Sequence, residues 1–367
     1  MKIVCLQENI KEALFILERI SSKNQELPIL NSILLKTENG LLKGIATDLE
    51  FGIEVEIPAK VEKQGEIVVP VKLLSQFIGN LPNIKIKLEE KDGVLTIDAE
   101  NIKTTIPTLP KNEFPLIPKV KKEHSVHIQS GILKKALDQV VNSAAVSYSI
   151  PEIAGVLFRF NEDTAKIVAT DSFRLSEKKL YQKNTYTTSE KHAFIIPLKT
   201  AVELGRIITH DDEMMELYTD KNQIVFILPH IHFISRLITG DYPNYEQIIP
   251  TSSKTKITIQ KAEFISKIKL ASVFASKIND IKIVVDAGKN EIHIHAAEQS
   301  KGQFQSTVVT DITGENGEAV FNYKYLLDGL MNIQEEEVVF EMNGAALPAI
   351  IKSKNDSYQY VVMPIKT

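Results

Sequence analysis

Val168-Ala169-Thr170-Asp171-Ser172-Phe173-Arg174-Leu175 and Ala46-Thr47-Asp48-Leu49-Glu50 share one step, which is an alanine, a threonine and an aspartate at the end of an apolar run. A looser copy, Ala296-Ala297-Glu298, stands in the last third of the chain. An acid at the end of a strand commonly accepts backbone N–H bonds in a turn. One turn recurring in each third predicts an internally repeated chain.

Two helices are predicted in each third of the chain. The first has apolar residues at a spacing of three to four. The second follows a predicted strand directly, and in two of the three repeats a proline stands at the junction, where a missing N–H costs no helical hydrogen bond. The six predicted helices are Asn9–Ser22, Val71–Leu81, Gln129–Val146, Leu198–Ile208, Gln260–Lys277 and Tyr323–Ile333.

Alternating strands close the repeats, for example Ile84–Glu89 with Val94–Ala99, and Met215–Thr219 with Gln223–Leu228. A period of about 125 residues is too long for a solenoid and indicates duplicated domains, each with two helices and about eight strands. The sequence therefore predicts an α+β chain of three tandem domains. Their expected bounds are 1–123, 124–252 and 253–367.

Composition restricts the class of protein. The 367 residues are 43% hydrophobic and 25% charged, as in a globular protein, and no apolar run approaches the length of a membrane helix. The only cysteine, Cys5, lies in an alternating apolar run, which predicts a buried structural thiol and excludes an intrachain disulfide. We expect a cytoplasmic protein with no cofactor, no metal and no membrane partner.

The charge pattern leaves two interpretations open. A net charge of -4 argues against binding DNA through bulk positive charge. The predicted helices together are nevertheless basic, so the strands and loops are more acidic than the whole chain. Either the helices face phosphate, or they carry lysine because it is a good helix former, and charge alone favours the second interpretation.

An enzyme is the first rival hypothesis. Asp48 and Asp171 could serve acid–base chemistry or hold a metal, but they are copies of one position in separate domains. The sequence has no phosphate-binding glycine loop and no nucleophile elbow. The pairs His230/His232 and His293/His295 alternate in strands without an evident third metal ligand. The sequence therefore favours a protein that is not an enzyme.

Several strings, in order along the whole chain, resemble the bacterial sliding clamp, the β subunit of DNA polymerase III. Any one of these strings alone would be weak evidence. Their order along the chain, together with their corresponding places in the repeats, is specific. The strings are Leu27-Pro28-Ile29-Leu30, Ala46-Thr47-Asp48-Leu49-Glu50, Thr108-Leu109-Pro110, Val168–Leu175, Gly240-Asp241-Tyr242-Pro243-Asn244-Tyr245 and Tyr360-Val361-Val362-Met363-Pro364-Ile365.

The resemblance implies a processivity factor of DNA replication. Two chains of three clamp domains would form a six-domain ring as a head-to-tail homodimer, with helices lining the hole around double-stranded DNA. Its partners would be the DNA polymerase III alpha subunit, the clamp loader, other DNA polymerases, and mismatch-repair or ligase-type proteins, all bound through short linear motifs. A three-domain interaction scaffold without a DNA role is the second rival hypothesis, and such a scaffold has no need to dimerise.

The resemblance also implies a peptide-binding pocket between domains 2 and 3. The head of Arg174 would be available to a partner, and Met363-Pro364-Ile365 would be an exposed end, whereas Leu175 and Val361 could also be ordinary strand core. The implied residues are Ile153, Thr170, Ser172, Phe173, Arg174, Leu175, Pro243, Gln247, Ile248, Leu347, Val361, Met363, Pro364 and Ile365.

Two further surfaces follow from the resemblance. The implied DNA contacts are Lys23, Lys134, Lys199 and Arg206, and the implied dimer contact joins Thr104 and Ile106 of one chain to Val273 and Phe274 of the other. The sequence departs from the family pattern at two places. Ser172-Phe173 precedes Arg174 where relatives often have a small residue and histidine, and Pro151-Glu152 stands where some relatives carry tyrosines that face DNA.

Overall fold

The computed structural model describes residues 1–21, 27–118, 120–147, 149–182, 185–188, 190–209 and 212–366. In this part of the chain one order of elements occurs three times: a strand, a helix, five strands, a helix and three strands. This order confirms the threefold repeat. Each repeat has nine strands, where the sequence predicts about eight. The least evident is the fourth of the five strands between the two helices, Ala59–Lys63 in the first repeat and Asp311–Gly314 in the third, which is largely exposed and shows no apolar alternation.

The bounds of the elements are as follows. The first repeat consists of β1 Lys2–Leu6, α1 Gln7–Ile20, β2 Ser32–Glu38, β3 Leu41–Thr47, β4 Phe51–Ile57, β5 Ala59–Lys63, β6 Glu66–Pro70, α2 Val71–Gly79, β7 Lys85–Lys91, β8 Val94–Ala99 and β9 Ile102–Pro107. The second repeat consists of β10 His124–Gln129, α3 Ser130–Val140, β11 Gly155–Phe160, β12 Thr164–Thr170, β13 Arg174–Tyr181, β14 Tyr186–Thr188, β15 His192–Pro197, α4 Leu198–Ile207, β16 Met214–Thr219, β17 Gln223–Leu228 and β18 Ile231–Arg236. The third repeat consists of β19 Thr255–Gln260, α5 Lys261–Ser272, β20 Asp280–Asp286, β21 Glu291–Glu298, β22 Gly302–Val309, β23 Asp311–Gly314, β24 Gly317–Asn322, α6 Tyr323–Met331, β25 Glu337–Met342, β26 Ala349–Lys352 and β27 Tyr358–Val362. Short 3-10 helices cover Pro28–Asn31, Lys111–Glu113, Val141–Ser143, Pro151–Ile153 and Tyr245–Ile248.

All six predicted helices are confirmed, with shorter ends for most of them. The residues Pro70 and Pro197 close β6 and β15, immediately before α2 and α4 begin. In the third repeat Asn322 takes this place, and its side-chain Oδ1 accepts a hydrogen bond from the backbone N–H of Lys324 at 3.0 Å. This is an N-cap, which satisfies a donor that the first helical turn leaves unpaired.

The chain forms two compact units, Met1–Ser130 with Ile207–Leu237, and Gly131–Arg206 with Ile238–Thr367. In the first unit β5, β1, β7, β8 and β9 form one sheet in that order. A second sheet runs β10, β16, β17, β18, β4, β3, β2, β6. Its join is the antiparallel pair β18–β4, in which Ile231 lies opposite Val55 and Ser235 opposite Phe51.

The larger sheet of the second unit is joined in the same way, and its smaller sheet has four strands. One sheet runs β15, β11, β12, β13, β27, β26, β25, β19, β23, and the other runs β22, β21, β20, β24. The join is the antiparallel pair β13–β27, which places Leu175 opposite Val361. Four strands of the second repeat, β10, β16, β17 and β18, thus belong to the larger sheet of the first unit, and four others, β11, β12, β13 and β15, belong to that of the second. The two joins, β18–β4 and β13–β27, use equivalent strands of the repeats.

The cores follow from the amphipathic elements. In α1 the buried apolar residues recur at the spacing of helical turns, and in the sheets they alternate along the strands. Cys5 is buried in β1, as its alternating apolar run predicts, and burial raises the pKa of its thiol to about 12.

Candidate functional site

The repeated Ala-Thr-Asp step forms a hydrogen-bonded turn in the second repeat. The hydroxyl of Thr170 donates to the carbonyl oxygen of Arg174 at 2.7 Å, and the N–H of Ser172 donates back to that hydroxyl at 3.2 Å. Asp171 Oδ1 accepts the N–H groups of Phe173 and Arg174, both at 2.9 Å. Ser172 has a left-handed backbone with φ of 75°, so the turn displays the next side chain, Phe173, with 61% of its surface exposed.

The first repeat builds the same turn from the same residue types. Thr47 donates to the carbonyl oxygen of Phe51 at 2.8 Å, Asp48 Oδ1 accepts two N–H groups at 3.0 Å each, and Leu49 has φ of 77°. Asp48 and Asp171 are therefore turn residues. This agrees with the prediction that the acid of the repeated step accepts backbone N–H bonds, and it does not support the enzyme hypothesis. In the third repeat Ala297 replaces the threonine, and Glu298 begins a hairpin by accepting the N–H of Lys301 through its carbonyl oxygen at 2.9 Å.

Replacing Asp171 by alanine should lower the free energy of unfolding by about 1–3 kcal/mol, because two backbone N–H groups lose a charged acceptor. Asp171→Asn keeps an oxygen at that place and should lose less. Urea unfolding followed by circular dichroism measures both variants. A midpoint for Asp171→Ala equal to that of the parent would contradict the role of this carboxylate in the turn.

Arg174 is held within the chain. Its Nε donates to Asp171 Oδ2 at 3.0 Å, its Nη1 pairs with Asp328 of α6, and its guanidinium lies over the ring of Tyr325, 4.4 Å from the centroid. The sequence-based expectation that this head is available to a partner is therefore wrong. Arg174 connects the turn after β12 to α6. It thereby supports the preceding residue, Phe173, whose side chain is exposed.

A buried cluster contains two of the implied peptide-binding residues, Leu175 and Val361. This floor cluster consists of Leu157, Val168, Leu175, Ile195, Tyr245, Ile350 and Val361. Leu175 and Val361 are fully buried in it, which favours the core interpretation of both side chains. Ile153 and Thr170 are buried as well. These four residues can shape a surface from below but offer little area to a partner.

Several of the implied residues that are exposed are close chain neighbours of floor-cluster members. Ile249 packs on the cluster, and its neighbours Gln247 and Ile248 are exposed, as is Pro243. Leu347 is exposed in the loop that leads to Ile350. Phe173, Pro243, Gln247, Ile248 and Leu347 are called the rim residues below, and all but Gln247 are apolar.

The end of the chain is anchored more firmly than its position suggested. The N–H of Met363 donates to the carbonyl oxygen of Phe173 at 2.9 Å, and the N–H of Ile365 donates to that of Val320 at 2.7 Å. Pro364 is buried, so the expectation of a wholly exposed end is wrong for that residue. Met363 and Ile365 keep part of their surface exposed.

Three of the four implied DNA contacts lie on α3 and α4 of the second unit. Lys134 and Arg206 line one cavity of about 300 Å³ between these helices, and Lys199 is exposed in the first turn of α4. Arg206 is also paired with Glu203 at 2.6 Å. Burial raises the pKa of Asp138 in the same cavity, with Lys134 acting against it. Lys23 lies outside the described residues.

The implied dimer contacts are only partly at the surface. Thr104 and Ile106 lie on β9, an edge strand, but Ile106 is 3% exposed and its side chain belongs to the core of the first unit, which corrects its expected place in a contact. Val273 is exposed just after α5. Phe274 is half-buried and stacks on Phe304 of β22 with 6.0 Å between ring centroids.

Two negative findings concern the described ranges. None of the helices there is long and apolar enough to cross a membrane. Nor do three or more His, Cys, Asp or Glu side chains in those ranges form a group suited to a metal ion.

Comparison with known proteins gives one answer over the whole chain. The family descriptions of the DNA polymerase III beta subunit match residues 1–118 for the N-terminal domain, 127–244 for the central domain and 246–366 for the C-terminal domain. The beta sliding clamp of Synechococcus elongatus is 27% identical over 373 residues, covering 100% of this chain and 99% of that protein. The beta sliding clamp of Staphylococcus epidermidis is 28% identical over 357 residues, covering 94% of each.

Solved structures agree with these relatives. The DNA polymerase sliding clamp of Bacillus subtilis has a TM-score of 0.94 at 25% identity, covering 100% of this chain and 99% of that one. The DNA polymerase III subunit beta of Pseudomonas aeruginosa has a TM-score of 0.94 at 25% identity, covering 100% of both chains. The fold is that of a non-catalytic processivity factor of DNA replication. The chain belongs to the DNA polymerase III beta-subunit family, the bacterial sliding clamps.

Proposed function

We propose that two copies of this chain close head to tail into a ring around double-stranded DNA and tether replication proteins to it. The single observation that carries the proposal is the strand pairing between repeats. The last strand of the second repeat pairs with the fourth strand of the first, β18 with β4, and the last strand of the third pairs with the fourth of the second, β27 with β13.

If every last strand of a repeat pairs with a fourth strand of another, one last strand and one fourth strand remain unpaired. The last strand of the first repeat, β9, and the fourth strand of the third repeat, β22, are both edges of their sheets. Nearly all residues of these two strands are exposed or half-buried, with Ile106 and Val308 as the buried exceptions. Long edge strands with unpaired backbone groups tend to recruit another strand. An antiparallel β9–β22 pair, made twice between two copies, would complete the pattern and close the ring.

This proposal moves the dimer contact from Val273 and Phe274 to the strand beside them. Phe274 supports β22 from behind through its stack on Phe304, and Val273 flanks that pair. On the other copy Thr104 would contribute through the backbone of β9. Static light scattering should give twice the mass of one chain, whereas a three-domain scaffold that needs no ring could remain monomeric.

Phe274→Ala should weaken the dimer by at least about ten-fold, because the stacked ring that supports β22 is lost together with apolar area worth about 25 cal/mol per Å². Sedimentation equilibrium measures the dimer constant. Phe15→Ala removes an exposed aromatic ring from α1, which belongs to neither edge strand, and serves as the control. A change within two-fold for Phe274→Ala, with the third repeat still folded by circular dichroism, would refute this position of the contact.

Encirclement is compatible with the net charge of -4. A closed ring stays on DNA because it cannot leave sideways, so it does not need strong binding to the phosphates. A few phosphate contacts from Lys134, Lys199 and Arg206, which lie together on α3 and α4, would suffice and would allow sliding. Lys23 remains a sequence-based candidate. The domain bounds 1–123, 124–252 and 253–367 and a cytoplasmic location belong to the same proposal.

The surface around the floor cluster is proposed as the peptide-binding site. Its rim is mostly apolar and its base is well packed, as expected for a cleft that binds short linear motifs through apolar anchors. Phe173, Ile248, Leu347 and Met363 supply the exposed apolar area. The proposed partners are the DNA polymerase III alpha subunit, the clamp loader, other DNA polymerases, and mismatch-repair or ligase-type proteins.

A further inference from the structure

A buried carboxylate joins three elements that carry the proposed peptide site. Glu177 on β13 is 1% exposed. Its Oε2 accepts the hydroxyl of Tyr245 at 2.7 Å, and its Oε1 accepts Nε2 of Gln359, also at 2.7 Å. Tyr245 begins the Tyr245–Ile248 3-10 helix and Gln359 lies on β27. Both carboxylate oxygens are thus used to connect β13, this helix and β27.

A second set of charges holds the same short helix from outside. Lys166 on β12 lies 3.6 Å from Glu177 Oε2 and donates to Glu246 Oε1 at 2.7 Å. Arg159 on β11 donates to the same oxygen at 3.2 Å, and its guanidinium lies over the ring of Tyr245. Lys166 therefore bridges the buried carboxylate and the exposed one.

The Tyr245–Ile248 helix carries both the held residues and proposed contact residues. Tyr245 is 2% exposed and belongs to the floor cluster, whereas Gln247 and Ile248 on the same helix are exposed. Burial, and then the charge of Glu177, raise the pKa of Tyr245 well above its usual range, so its hydroxyl stays a neutral donor. The helix cannot shift without breaking a hydrogen bond to a buried charge, which is costly.

We propose that Glu177 is a positioning residue for peptide recognition. Acting through Tyr245, and with Lys166 as the link to Glu246, it fixes the Tyr245–Ile248 helix as a preformed wall, so that Gln247 and Ile248 need no ordering when a peptide binds. A wall that is already ordered in the free protein loses less conformational entropy when the peptide binds, and the affinity is higher for that reason. The inference rests on the proposed peptide site. It attributes part of the peptide affinity of that site to residues that do not contact the peptide.

Tyr245→Phe removes one hydroxyl and leaves the ring in the floor cluster. Its affinity for a peptide from the C-terminus of a polymerase should fall about ten-fold, mainly through faster dissociation. Tyr186→Phe is a matched control, because Tyr186 is 1% exposed, lies in the same unit, and donates its hydroxyl to the carbonyl oxygen of Asn161 at 2.9 Å, away from the helix. Surface plasmon resonance measures affinity and dissociation rate, and calorimetric unfolding measures stability.

The expected result is a similar loss of stability in both variants and a loss of peptide affinity in Tyr245→Phe alone. Adding Glu177→Gln to Tyr245→Phe should cost less affinity than the two single changes predict, because both act through one hydrogen bond. Equal peptide affinity of the parent and Tyr245→Phe overturns the inference, and so does an equal loss in Tyr186→Phe. Failure of the parent protein to bind the peptide overturns the proposed peptide site itself.

Discussion

On nicked circular DNA the assembled ring should stay bound through gel filtration in high salt and should be lost almost completely once the circle is cut. A protein held by phosphate contacts loses affinity steeply with salt, whereas a closed ring leaves only over an end. The measurement follows labelled protein that co-elutes with DNA after loading by a clamp loader and ATP. Comparison of intact and linearised circles gives the fraction held by topology.

Two variants distinguish retention on DNA by a closed ring from retention by charged contacts to phosphate. Lys199→Ala should weaken static binding to linear duplex slightly, with a salt slope smaller by about one if one phosphate contact is lost, and should leave retention on circles unchanged. Phe274→Ala should lose retention because the ring opens. If Lys199→Ala abolished retention while the dimer stayed intact, the protein would be a conventional charge-driven DNA binder and the encirclement proposal would fail.

The repeated architecture could be predicted because its signals are local. The Ala-Thr-Asp turn needs residues no more than four apart, and its hydrogen bonds are the same around Asp48 and Asp171. Helical periodicity and prolines at strand–helix junctions likewise act within a few residues. The hairpin predicted from Ile84–Glu89 and Val94–Ala99 is a further case, since Asp92 and Gly93 between these strands both adopt the positive φ that such a turn needs.

Side-chain direction at the sheet edge could not be predicted. Thr104-Thr105-Ile106 shows no clear apolar alternation, and only the pairing of Ile106 with Leu95 on β8 shows that its side chain faces the core. A shift of one residue in that pairing would have exposed it. The resemblance implies a contact that includes Ile106, whereas the side chain of Ile106 is buried and β9 presents a sheet edge.

Nonlocal partners explain the remaining differences at the candidate site. Arg174 meets Asp328 across 154 residues of sequence, and no local pattern marks that pair. Glu177 and Tyr245 were also missed as a pair. One signal was available, because an acid stands two residues after Leu175, at an inward position of the same strand, and a buried acid requires partners. Tyr245 lies in the family-like string 240–245 but carries no mark of its partner.

Met363→Glu should weaken peptide binding by a factor on the order of 100, the largest effect expected from a single change at the site. The side chain is partly exposed, and the backbone N–H of Met363 donates to Phe173, two residues before Leu175 of the floor cluster. A carboxylate there would have to lose water against an apolar peptide anchor that cannot compensate it. Titration calorimetry with a polymerase peptide measures the loss. Met214→Glu places the same charge at an exposed methionine of β16 in the first unit and should leave peptide affinity unchanged.

A substitution tests this site better than removal of the chain end. Deleting residues 363–367 would take away a buried proline and the hydrogen bonds that Met363 and Ile365 donate to Phe173 and Val320, so lost binding could reflect a loosened third repeat. Met363→Glu keeps the backbone and therefore both bonds. Its dimer constant and unfolding midpoint should match those of the parent, and Met363→Leu should restore most of the affinity because the contact is apolar. Binding by Met363→Glu within three-fold of the parent, with Met214→Glu equally unaffected, would place peptide recognition somewhere other than the floor cluster.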